Sequence, residues 1–462
     1  MAFQIVQTNQ GRPSLTLDGY HYRKDKELKN GNISWRCAST TTRCKSRLHT
    51  DSDLQVIVVL PNDHIHLPDQ RAIDRRMLRT TAKRKATEDI TIRPNKLLRK
   101  ELVKMHDENS LKPEDLKSTA KAVYRERMKF YGKLPVSRSE VHMLLKEREL
   151  KTSKGEPFVC VNNEEEEIII FSCLTNLMTL CNVHELFMDG TFQYCPKFFM
   201  QMYTIHGFQN GHYVPLVFML LPGRSKEIYT KAFNFLLSIL NSHCLEFSPE
   251  SIHVDFEQAV INTLENLCPT SIIKCCKFHL GQSWWRKIQE LGLSNDFKSG
   301  SENGKWLKSF FGLSCLEPSD VEDSFVEDIM SIAPTDTKSV QFADYVTTNY
   351  ISSDSKFPPN LWAEAPSETR RTTNGPEAFH KHFNSQFYSS HPSLHVFVNV
   401  ISEIQTDTYI KIRSLGEEKP RRKCYRLKEK KLVALFKEYM EGSISRLQYI
   451  QRAAFKFLPI NI

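Results

Sequence analysis

Leu186-Phe187-Met188-Asp189-Gly190-Thr191-Phe192 places an acidic residue in the middle of an apolar run short enough to be one strand. Two more runs of strand character, residues 198–206 and 212–220, follow closely. Three strands so near in sequence predict an antiparallel meander. An amphipathic helix comes next, with Ile228, Tyr229, Ala232, Phe233, Leu236, Ile239 and Leu240 on one face. Residues 252–255 then read as a short strand, 257–267 as a helix and 272–278 as another strand. Upstream, the acidic run at Glu164 precedes an apolar stretch that reads as a helix ending near Cys181.

The order βββαβαβ is that of an RNase H-like sheet, in which the strands carrying Asp189 and Asp255 are neighbours. A buried carboxylate without a partner is costly, so Asp189 calls for a cation. Glu377 opens a helix whose entry, Asn374-Gly375-Pro376, offers a cap and a proline tolerated in the first turn. Acids from two strands and one helix make a site for two divalent cations, magnesium or manganese, which activate water or a 3′-hydroxyl and stabilise the leaving oxygen of a phosphodiester. Residues 280–350 read as helices, so a helical block interrupts the α/β core before its last helix.

A chain of 462 residues predicts two or three folded units. No apolar run approaches the ~18 residues of a membrane span, and the polar first dozen residues predict a non-secreted, soluble protein without a membrane partner. The 12 cysteines then read as thiols or metal ligands. Cys173, Cys181 and Cys268 fit small buried hydrophobes. The net charge of +9 is concentrated: residues 71–150 hold 22 Lys and Arg against 12 Asp and Glu. A second basic run, residues 419–431, contains Arg421, Arg422, Lys423 and Arg426. Such runs suit phosphate backbones or a nuclear import signal, and hence a nuclear location; a solvated helical face is the other reading.

Residues 1–70 are rich in turns, with Asp18-Gly19 and Asn30-Gly31 as hairpin signals and residues 54–60 as a strand. Cys37, Cys44, His64 and His66 have the spacing C-x6-C-x19-H-x-H, a donor set for structural zinc. On an extended segment His64 and His66 would point to one side. Tyr20, Tyr22, Trp35-Arg36-Cys37, Cys44 and His64-Ile65-His66 resemble the FLYWCH zinc finger. The resemblance implies a small antiparallel sheet, similar to WRKY-type folds, that offers Arg23, Lys24, Arg36, Arg43, Lys45 and Arg47 to DNA; a protein partner is the alternative.

Asp189-Gly190-Thr191-Phe192, His253-Val254-Asp255-Phe256-Glu257, Cys276-Lys277-Phe278-His279 and Thr373-Asn374-Gly375-Pro376-Glu377-Ala378-Phe379-His380 together look like the Mutator-like element transposase family, over about residues 160–400. From that resemblance come catalytic metal-binding roles for Asp189, Asp255 and Glu377, and a place for Trp362 near a DNA junction. Cys276, His279 and His380 are expected to support the site from behind, a ligand role for the first two wanting further partners. Many relatives have Asn-Asn before the third acid, where this chain has Gly375-Pro376. The implied organisation is α+β and multidomain: a finger (1–70), a basic helical connector without a compact core (71–157), an RNase H-like α/β core (158–280), a helical insertion (281–360), the last core helix (361–400) and a basic helical C-terminal region (401–462). The implied function is a DNA transposase acting on double-stranded transposon ends and target, with room for a homodimer. A domesticated, non-catalytic DNA-binding regulator is the alternative.

Overall fold

The computed structural model describes residues 3–7, 12–39, 41–105, 110–366, 375–420 and 423–454. The chain separates into two compact units, Met1–Leu134 and Pro135–Ile462.

In the first unit β1 (Gln4–Gln7), β2 (Pro13–Leu17), β3 (Tyr20–Glu27), β4 (Ile33–Cys37), β5 (Arg47–Thr50) and β6 (Ile57–Val59) form one antiparallel meander in chain order. Asp18 and Gly19 join β2 to β3 with positive φ of 47° and 78°, as a tight hairpin turn requires. The strand expected over residues 54–60 shrinks to β6. Leu54 takes a left-handed φ of 58°, and the Asp51 carboxylate accepts the Gln55 and Val56 N–H groups, which makes this segment a turn. Leu15, Leu17, Tyr22, Trp35 and Leu48 fill the small core.

Helices α1 (Gln70–Glu88), α2 (Pro94–Leu102) and α3 (Pro113–Tyr131) complete this unit. The connector has a core of its own after all, built from Leu78, Ala82, Leu97, Leu98 and Val123. Part of its charge turns inward: Arg127 donates to the carbonyls of Ala86, Asp89 and Ile92, and Arg71 and Arg75 pair with the buried Asp115. The Arg76 guanidinium meets the His21 ring, tying α1 to the finger sheet.

The second unit begins with α4 (Arg138–Glu147), β7 (Val159–Asn163), β8 (Ile168–Phe171) and α5 (Leu174–Asn182). The apolar stretch expected to be one helix is therefore a strand followed by a helix. Ile168-Ile169-Ile170-Phe171 is fully buried, and β-branched and aromatic residues favour a strand in such a place. Next come β9 (Glu185–Thr191), β10 (Gln201–Gln209), β11 (His212–Leu221), α6 (Lys226–Ser242), β12 (Ser251–Val254), α7 (Gln258–Leu267) and β13 (Ile272–Cys275). The seven strands lie in the order β13-β12-β9-β10-β11-β8-β7. β9, β10 and β11 are the expected antiparallel meander, with Asn210-Gly211 as a left-handed turn (φ 50° and 85°), while β12 runs parallel to β9 and β13 parallel to β12. Both faces are covered: Tyr203 meets Tyr229 of α6, whereas its neighbour Thr204, pointing the other way, meets His380.

The strand expected to reach Phe278 stops at Cys275, because α8 (Lys277–Glu290) starts there. The helical block continues with α9 (Ser294–Lys298), α10 (Glu302–Gly312), α11 (Val321–Ser324) and α12 (Thr337–Val346), and then α13 (Gly375–Ser385), α14 (Leu394–Arg413), α15 (Lys423–Met440) and α16 (Arg446–Ala454) complete the described chain. Trp284, Trp306 and Trp362 are buried within the unit. A reciprocal amide pair, Asn176 with Gln405, fixes α14 to α5 at 2.8 Å in both directions. Of the second basic run, Arg421 and Arg422 lie outside the described residues, as do Thr373 and Asn374 at the entry to α13. Among the described residues no helix is long and apolar enough to cross a membrane.

Candidate active site and zinc centre

In the first unit Cys37 ends β4, Cys44 lies in the loop to β5, and His64 and His66 follow β6. Their donor atoms all lie within 4.8 Å of one another. The two imidazoles do not stand side by side on a strand, as expected; they turn different nitrogens inward. Cys44 Sγ lies 3.5 Å from His64 Nδ1, and Cys37 Sγ lies 3.2 Å from His66 Nε2. Each outward nitrogen is held: His64 Nε2 by the Tyr22 hydroxyl at 2.6 Å, His66 Nδ1 by the Leu67 carbonyl at 2.9 Å. Such bonds fix tautomer and orientation for a metal. The Tyr20 ring stacks on His64 at 3.6 Å, which explains both tyrosines of the motif. Burial, and then the neighbouring His66, push the His64 pKa down, keeping the ring neutral. Burial alone would raise Cys44, but the Ile65 and Ser46 backbone N–H groups bring its pKa below the ordinary thiol value. Two thiols and two imidazoles in this arrangement fit zinc.

The basic candidates on the same sheet divide. Arg23, Arg36 and Arg47 are direct cross-strand partners on β3, β4 and β5. Like charges opposite one another cost stability, and Asp25, 3.3 Å from Arg47 and 3.7 Å from Arg36, offsets them. Lys24 is out of phase with this row and pairs with Glu27 at 2.5 Å. Arg43 and Lys45 are exposed in the loop beside Cys44.

In the second unit the register brings distant residues together. The parallel pairing sets Phe187 beside His253, with the rings stacked at 4.2 Å. Two residues beyond this pairing, Asp189 near the end of β9 and Asp255 just past β12 come within electrostatic reach of each other. One strand over, β13 pairs with β12 as far as Val254 and Cys275, and the Cys276 N–H donates to the Val254 carbonyl at 2.8 Å. Glu377 arrives from the first turn of α13, and its Oε1 lies 3.8 Å from Cys276 Sγ. The departure at Gly375 has a steric reason: a Cβ there would lie 2.2 Å from the Tyr213 ring, so glycine lets α13 settle against β11 and present Glu377.

Asp189 has no Lys or Arg partner among the described residues. Its nearest basic group is His380, with Nε2 at 3.5 Å from Oδ2, and burial lowers the His380 pKa to about 4, leaving it neutral. Burial raises Asp189 to about 7; His279 opposes the rise, while Asp255 and Glu377 add to it. Asp255 is raised by burial and then by Glu257, and Glu377 by burial. Asp255 Oδ1, His279 Nδ1 and His380 Nδ1 are buried without a hydrogen-bond partner among the described residues. Converging, desolvated carboxylates with orphaned polar atoms beside them fit a cation-binding site.

Sequence reasoning missed Thr204 and His206. Thr204 lies opposite Asp189 in the ladder and donates to its carbonyl at 3.0 Å, while its oxygen also meets His380 Nε2 at 3.3 Å and His206 Nε2 at 3.0 Å. The signal was there: Thr204 and His206, two positions apart, interrupt an otherwise apolar stretch of strand. Arg224, bonded to Glu257 and stacked over the exposed Phe192 ring, was missed as well.

Trp362, expected near a DNA junction, is packed in the core. It is 1 % exposed, its indole N–H donates to the Phe357 carbonyl at 2.9 Å, and it packs edge-on against Trp284. Trp362→Ala is expected to cost the second unit about 3–5 kcal/mol in denaturant unfolding and to leave DNA affinity unchanged. Weaker DNA binding at unaltered stability would return the residue to the interface.

Residues 5–66 match the FLYWCH zinc finger domain and residues 185–283 the MULE transposase domain. The second match includes Asp189, Asp255, Cys276 and His279 and ends before Glu377. No curated protein matches the chain. The chain thus carries a FLYWCH zinc finger followed by a MULE transposase domain.

Proposed function

We propose that this protein is a DNA transposase of the D/D/E type, which grips DNA with its zinc finger and cleaves and joins strands at the Asp189–Asp255–Glu377 site. The observation that supports the reading is the parallel pairing of β9 with β12, which leads Asp189 and Asp255 into electrostatic reach of each other, with Glu377 arriving on α13. The strand order β11-β10-β9-β12-β13, three antiparallel strands followed by two parallel ones, supports an RNase H-like core. Magnesium or manganese bound there would polarise the scissile phosphate and activate the attacking water or 3′-hydroxyl.

The chain's own residues prepare the site. Thr204 on β10 holds the Asp189 backbone through its carbonyl, while the Gly190 N–H at 2.8 Å and His380 of α13 at 3.5 Å flank the carboxylate and orient it. Arg224 borders the acids beside the exposed Phe192, where a phosphate and an unstacked base would find a cation and an aromatic face. Carboxylates repel DNA on their own, so cleavage is expected to need divalent cations.

Purified protein incubated with terminal-repeat duplex and manganese is expected to nick it, and Asp255→Asn and Glu377→Gln to abolish nicking. Equal nicking by Asp255→Asn would end the assignment. Binding without nicking under every divalent cation would favour the domesticated regulator. For the finger, Arg23→Ala, Arg36→Ala and Arg47→Ala are each expected to weaken DNA binding about three- to tenfold and to flatten its salt dependence. Unchanged slopes in all of them would remove the arginine row from the interface. A nuclear location and a homodimer belong to the same reading.

A further inference from the structure

We propose that Cys276, His279 and Glu377 form a second metal site, open at one position and suited to a zinc-type divalent ion, with Glu377 shared between it and the aspartates. Cys276 directly follows β13, next to the strand β12 that leads to Asp255, and is held there by its N–H bond to the Val254 carbonyl at 2.8 Å. It caps α8, which carries His279 one turn further, and α13 brings Glu377 from the other side. One donor atom from each lies within 4.8 Å of the other two, and neither aspartate belongs to that group.

The chemistry separates this site from the acid pair. Magnesium prefers a shell of oxygens, whereas sulfur, imidazole nitrogen and one carboxylate oxygen suit zinc or cobalt. A second observation points to a ligand: His279 Nδ1 is buried with no hydrogen-bond partner among the described residues, although hydrogen bonds normally satisfy buried ring nitrogens. Three protein donors leave a tetrahedral ion one place for water or a substrate oxygen. An ion held there draws Glu377 towards sulfur and away from the aspartates. Zinc occupancy and the hard-cation site therefore compete for one carboxylate.

The test is metal stoichiometry of the full chain, which reads no catalytic activity and so stands or falls apart from the transposase reading. After chelator dialysis the parent is expected to take up about two equivalents of cobalt or zinc, one at the finger. Cys276→Ser and His279→Gln are each expected to retain about one, and Glu377→Gln to weaken the second equivalent about tenfold or more. Cys37→Ser should lose the other equivalent. Unchanged melting of the second unit keeps misfolding from imitating the loss. One equivalent in the parent, with Cys276 and Glu377 joined only by a thiol hydrogen bond, overturns the proposal. So does a second equivalent that survives both Cys276→Ser and His279→Gln.

Discussion

The Asp189→Asn variant is expected to be more stable than the parent in cation-free buffer and at least ~10³-fold slower in cation-dependent DNA cleavage. Both effects come from one buried carboxylate. Burial raises its folded-state pKa to about 7 from an ordinary 3.8, so the folded protein holds the proton more tightly than the unfolded chain. Stability from that proton is complete below about pH 4 and is lost as pH rises through about 7. Above neutrality the ionised group costs on the order of a few kcal/mol, which an amide of the same shape avoids. The melting gap between variant and parent should therefore be small at pH 4, open between pH 4 and 7, and narrow again when magnesium or manganese binds the parent. A gap that does not vary with pH would show that Asp189 lacks the strained environment described above.

Removing zinc, or substituting Cys37→Ser, is expected to unfold the finger sheet while the second unit keeps its melting transition. The finger core is a handful of side chains around Tyr22 and Trp35, too few to hold a six-stranded sheet without help. Zinc bound at such sites contributes on the order of 10 kcal/mol of apparent free energy, so its loss exceeds anything the core supplies. The partners that fix the rings, Tyr22 on His64 and Leu67 on His66, lose their purpose with it. Affinity should fall with acidity, because a proton returns to each thiol and imidazole. Zinc content, far-ultraviolet circular dichroism and DNA binding should decline together on chelation. A finger that keeps its amide spectrum without metal would refute the structural role.

Local residue chemistry made much of this legible. The Asp18-Gly19 turn, the β9–β10–β11 meander, the α6 stripe and the Cys/His spacing each follow from neighbours within a few residues. The two aspartates were legible because their strands occupy linked places in one topology. Where local patterns failed, a competing interaction had won. Residues 168–171 are apolar at every position, so periodicity could not separate a strand from a helix. Residues 54–60 look like a strand until the Asp51 carboxylate captures two backbone N–H groups. The connector's charges read as phosphate-binding or solvated, yet Arg71, Arg75 and Arg127 bond within the unit. Trp362 looked like a contact because aromatic residues serve both interfaces and cores.

The sequence by itself determined which atoms are available: two thiols and two imidazoles for zinc, three separated carboxylates, and a Cys-x-x-His pair. It also determined the elements that carry them, since turn residues and hydrophobic period act over short range. Only the tertiary structure decided which of those atoms meet. The parallel pairing of β9, β12 and β13 led Asp189, Asp255 and Cys276 to one end of the sheet, and a glycine beneath Tyr213 let α13 bring Glu377 to Cys276 and His279 across about a hundred residues of chain. The physical reason is that register and helix docking are fixed by the packing of the whole core, which no local stretch of sequence specifies.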